Sequence, residues 1–81
     1  MTKRMSKSEA ARLAFDSAVT ALDQAGSREC PTLEDAIDSY FLNLGQTIND
    51  QPWPVVVAAY RAFNAVLAQN NISYRAHGSD A

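Results

Sequence analysis

The chain has 81 residues, 47% of them hydrophobic and 20% charged, with a formal net charge of −2 and a sequence pI of about 5.1. That length allows one domain with a modest core, and the composition excludes wholesale disorder. An acidic balance argues against a protein devoted to neutralising phosphates, and one cysteine with one histidine leaves neither a disulfide nor a metal-ligand spacing.

The segment Met1 to Lys7 has the charge of a signal-peptide n-region, but Glu9, Arg12 and Asp16 break any hydrophobic region behind it. No apolar run approaches the ~18–20 residues of a membrane-spanning helix. A small domain without disulfide staples points to a reducing compartment, so the expected location is the cytoplasm, with no membrane attachment.

Residues 1–5 read as a basic arm. Ser6-Lys7-Ser8-Glu9 is a capping box, in which serine and glutamate side chains each satisfy one orphan N–H. Helix one is expected from about Lys7 to Gln24 or Ala25, with Gly26 free to take a left-handed cap. Its large apolar residues Phe15, Val19 and Leu22 align with Ala11 and Ala18 and read as the buried stripe. Ala10, Ala14, Ala21 and Ala25 form a seam beside it, where another helix can approach closely. Leu13 falls on the opposite side, among Ser17, Thr20 and Gln24.

A loop from Gly26 to Pro31 leads to Thr32, an N-cap with Glu34 and Asp35 in the first turn. Leu33, Ile37, Tyr40, Phe41 and Leu44 make the stripe of helix two. Leu42 falls on its wet side, with Asp35, Asp38 and Ser39. This helix either stops at Gly45 or continues to Ile48 at a cost of ~1 kcal/mol for the glycine. Asn49 to Pro54 must be extended, because each proline disfavours helix for the residue before it.

Helix three is expected from Pro54 to about Asn70 and is the most apolar element, with the other two packed against it. At about 100° per residue, Val56, Tyr60, Phe63 and Leu67 fall on one narrow line. Val55, Ala59, Ala62 and Val66 widen that arc. Asn70-Asn71 can close the helix in the left-handed region, with Ile72 folding back, and residues 75–81 read as a flexible tail beyond a domain of 6–74. The fold class is all-α, a small three-helix bundle in a single domain.

Nothing in the chain is a chemical signature. Glu34, Asp35 and Asp38 are paired acids of the kind that hold a cation or move a proton, but a solvated first turn explains them as well. Cys30 lies between Glu29 and Pro31, a setting that does not activate a thiol, and His77 is in the tail. Trp53 is expected to lie as a lid over the start of helix three, with a binding role as the alternative.

The functional signal is a surplus of apolar surface. Leu13, Leu42 and the outer side of helix three exceed what one three-helix core can use. Once the main stripe points inward, Val57, Ala58, Arg61, Ala65 and Ala68 must face out, and Arg61 can pair with a carboxylate while its stem packs on apolar surface. The expected function is a protein-binding module, a homodimer or an accessory or inhibitor subunit of a larger partner. Its expected contact residues are Val57, Ala58, Arg61, Ala65, Ala68, Leu13, Leu42 and Trp53. No catalysis, cofactor, metal or small-molecule substrate is expected. Two rival classes are a helix-turn-helix-like DNA-binding regulator using Lys3, Arg4, Lys7 and Arg12, and a small enzyme in which Arg61 and Arg12 hold an anion.

Overall fold

In a computed structural model, residues 4–72 are described, and they form three helices: α1 (Lys7–Gln24), α2 (Leu33–Ile48) and α3 (Trp53–Gln69). The tail segment 75–81 and His77 lie outside the described residues. The described chain is an all-α three-helix bundle. No described helix is long and apolar enough to cross a membrane.

Each helix end is built by local chemistry. Glu9 N–H donates to Ser6 Oγ at 3.1 Å and Ser6 N–H to Glu9 Oε1 at 3.0 Å, which completes the capping box. Gly26 takes φ +89° just past the end of α1, and Cys30 N–H then donates to Ser27 Oγ at 3.1 Å. Thr32 Oγ1 accepts from Asp35 N–H at 3.1 Å to open α2. Asn71, at φ +61°, closes α3. Its N–H donates to Ala68 O at 3.0 Å and Ile72 N–H donates to Leu67 O at 2.9 Å, the paired bonds of a Schellman cap. Ile72 folds back onto the core.

The packing differs from the sequence expectation on α1. Ala10, Ala14, Ala18 and Ala21 are its fully buried residues, whereas Phe15 is 50% exposed and Val19 44%. The small-residue seam is the core face, and the large stripe lies largely outside it. The reason is distance: alanines let α1 approach α2 and α3 closely, and a phenylalanine there would hold them apart. Leu13, expected on the surface, packs against the core, because α1 serves two neighbours and buries a wider arc than one stripe.

α1, rather than α3, is the helix whose backbone runs close to both others; α2 and α3 approach each other at few points. The wider gap between α2 and α3 is filled by rings. Phe41 stacks on Tyr60 at 4.9 Å between centroids and meets Phe63 edge-on at 5.3 Å. Phe63, Ile37, Leu44, Ile48 and Leu67 are the largest fully buried side chains. α2 runs through Gly45 to Ile48. A Cβ at Gly45 would sit 3.3 Å from Tyr60 Oη, so the glycine makes room for that ring.

Two contacts fix how the helices run. Met5 N–H donates to the buried Gln51 Oε1 at 2.8 Å, which ties the start of α1 to the turn before α3. Met5 itself packs on the core, so the basic arm ends in a docked residue. At the other end, Ala21 of α1, Cys30 of the loop and Ala36 of α2 form a second small cluster. α1 and α2 are therefore antiparallel, and α1 and α3 start at the same end and run alongside.

Candidate interaction face

The shared start of α1 and α3 creates a groove of about 260 Å³, lined by Lys7 from α1 and by Pro54, Val57, Ala58 and Arg61 from α3. Its floor is apolar and two cations flank it. Pro54 sits here because proline suits the first turn of a helix, where its missing N–H leaves nothing unsatisfied. Val57 and Ala58 are half-buried, while Arg61 and Lys7 are exposed.

Helical geometry carries this groove along the bundle. Lys7, Ala11 and Phe15 follow one another at four-residue intervals up α1, and Pro54, Ala58 and Ala62 do so up α3, with Ala65 one turn further. Because Lys7 lines the groove together with Val57 and Ala58, helical spacing sets the flank of α1 that carries Ala11, Phe15 and Leu22 on the side of the flank of α3 that carries Ala58, Ala62 and Ala65. Ala11, Leu22 and Ala62 are half-buried and Ala65 is exposed. Together with Phe15 and Val19 they form one largely apolar face across two helices.

The residues expected from sequence divide into those on this face and those elsewhere. Val57, Arg61, Ala65 and Ala68 form one outward stripe at i, i+4, i+8 and i+11, with Ala58 beside it. Leu13 belongs to the core. Leu42 is 61% exposed but points away from the Ile37 and Leu44 side of α2, so it does not join the α1/α3 face. Trp53 is 69% exposed and is not a lid on the core. It stands one turn before Val57 at the start of α3 and does not line the groove. Lys7, Pro54, Phe15 and Val19 were not among the contact residues expected from sequence, Lys7 having been considered only as a cation for DNA. Phe15 and Val19 had been placed in the core because size, not neighbour distance, is what a helical wheel displays.

The other chemical candidates do not assemble. Glu34, Asp35 and Asp38 are all exposed, and no group of three or more His, Cys, Asp or Glu among the described residues could hold a metal. Cys30 is a buried free thiol in the small cluster with Ala21 and Ala36. Every buried side-chain nitrogen and oxygen among the described residues has a hydrogen-bond partner, so no orphaned polar group marks a binding pocket. No family model matches the chain, and neither a curated protein nor a solved structure matches it.

Proposed function

We propose that this chain is a small protein-binding module, without catalysis of its own, that works in the cytoplasm through the outer face of α1 and α3. The observation that carries the reading is that Phe15 and Val19 are half exposed on α1, further along the helix whose start lines the groove with Arg61. Large apolar side chains that a small domain leaves in water, on the same helix as a groove flanked by cations, support reading this side as an interaction surface. An accessory or inhibitor role suits a chain that offers such a face and no assembled set of reactive groups among its described residues.

The test is a paired retention experiment with the wild type and an Arg61→Glu/Ala65→Glu variant as baits. Both positions are exposed, so helical content and melting should not change. The reading expects proteins held by the wild type and released by the variant. Identical retained sets from two equally folded baits would remove this face.

Nucleic-acid binding is the second reading, favoured by one observation: the fold adds Arg61 to the basic end formed by Arg4 and Lys7. Phosphate binding falls steeply with salt, and an apolar contact does not. A salt series on any complex therefore separates the two readings.

A further inference from the structure

We infer that the groove at the shared start of α1 and α3 takes an acidic residue with an apolar neighbour from a partner polypeptide. The carboxylate lies between Lys7 and Arg61, and the apolar side chain covers Pro54, Val57 and Ala58. This rests on the reading of this side as a protein-binding surface and names the chemistry of its partner.

Charge carries the inference. The chain has a net charge of −2, yet among the described residues no acid lines the groove. α3 contains no Asp or Glu, and Arg61 is its only charged residue. On α1, Glu9, Asp16 and Asp23 lie two, nine and sixteen residues after Lys7. At about 100° per residue, all three point at least about 160° round the helix from it. Glu34, Asp35 and Asp38 stand at the start of α2, which runs antiparallel to α1, and so lie towards the other end of the bundle. Asp50, in the turn before α3, does not line the groove. Among the described residues the side chains of Lys7 and Arg61 have neither a hydrogen-bond nor an ion-pair partner. Two cations from separate helices therefore flank one concavity with no counter-charge from their own bundle.

Floor and volume decide which anion fits. Pro54, Val57 and Ala58 offer apolar surface and no side-chain donor, so a bare phosphate gains nothing from them. A volume of about 260 Å³ falls below the ~300–1,000 Å³ of pockets that enclose a free small molecule, and suits a side chain or two presented by a larger partner. A salt-sensitive nucleic-acid binder makes roughly six to ten phosphate contacts, and this groove supplies two cations. An acidic residue beside an apolar one matches both parts of the site. The planar fork of Arg61 pairs with the carboxylate, Lys7 adds a point charge, and the apolar side chain removes water from the floor.

The experiment follows backbone amide shifts of the isotopically labelled full chain. The probe is a short capped peptide of alternating leucine and aspartate, titrated to millimolar concentration. Shifts should be saturable and centred on Lys7, Val57, Ala58 and Arg61. Replacing aspartate by asparagine, or leucine by serine, should each weaken binding about ten-fold. Lys7→Gln and Arg61→Gln should each weaken it about three-fold, and the two together about ten-fold. Both positions are exposed and glutamine is a good helix former, so helicity should not change. Silent amides at the groove, an asparagine peptide that binds as well, or a double variant that binds as the wild type does would each overturn the proposal. So would a single-stranded oligothymidylate that occupies the groove more tightly than the peptide, which would assign it to nucleic acid. If the peptide fails while the paired retention experiment still separates wild type from variant, this assignment falls alone. If the peptide binds and no protein is retained differentially, the protein-binding reading falls, so the two failures are distinguishable.

Discussion

Adjacent residues of α1 make the sharpest prediction, because Ala14 and Phe15 reverse the usual ranking by size. Ala14 is fully buried between α1 and its neighbours, and Phe15 is 50% exposed. Ala14→Leu adds three carbons where helices already touch, and overpacking of this kind costs about 1–3 kcal/mol or more. Burying a whole phenylalanine is worth about 1.5–3 kcal/mol, so losing the half that Phe15 buries removes about 1 kcal/mol. Alanine's better helix propensity returns a few tenths of a kcal/mol, leaving Phe15→Ala at roughly 0.5–1 kcal/mol. A domain of 81 residues has about 4–12 kcal/mol of total stability, so the first change is damaging and the second minor. Urea melts at low micromolar concentration keep self-association out of the comparison. The packing described for α1 would be refuted by Phe15→Ala costing about 3 kcal/mol while Ala14→Leu melts like the parent.

The remaining predictions concern the core and the cysteine. Phe63→Ala and Leu67→Ala, both fully buried, should cost about 3–5 and 2–5 kcal/mol, and a melting temperature within a few degrees of the parent would contradict this. Gly45→Leu should destabilise α2 despite leucine's higher helix propensity, because the new side chain must displace Tyr60, and a stabilised variant would show that Tyr60 is not held there. Cys30→Ser should leave binding by the α1/α3 face unchanged and chelators should not lower the melting temperature; a loss on chelation would reopen the acids of α2 as a metal site.

Most helix ends were legible because each is decided by a few neighbouring residues. The stretch Asn49 to Pro54 was not: it was expected to be extended, whereas Asn49 keeps helical angles at the end of α2 and Trp53 already opens α3 in front of Pro54. The Ser6–Glu9 pair, Thr32 and the Asn71–Ile72 cap form the hydrogen bonds that their spacing implies. The inward line of α3 was legible too, because Val56, Phe63 and Leu67 leave one direction for the core, and its outward stripe followed by subtraction. The α1 face was not. A wheel ranks faces by apolar bulk, whereas burial on α1 is decided by how closely α2 and α3 come, a distance no single helix encodes. The same limit hid the groove: Val57, Ala58 and Arg61 could be placed on one side of α3, but nothing in the chain says that Lys7 lies opposite them. Passage of α2 through Gly45 stayed open for a related reason, since the glycine answers to Tyr60, fifteen residues later.

The central claim is that the outer face of α1 and α3 is where this protein meets other protein. The most direct measurement is a backbone amide correlation spectrum of the isotopically labelled full chain, recorded before and after addition of a protein retained by the wild-type bait. The account predicts shifts concentrated at Ala11, Phe15, Val19, Ala58, Ala62 and Ala65, with α2 around Leu42 silent. Shifts centred on Leu33 and Leu42, or a spectrum that does not respond at this face to proteins retained by the wild-type bait, would contradict it.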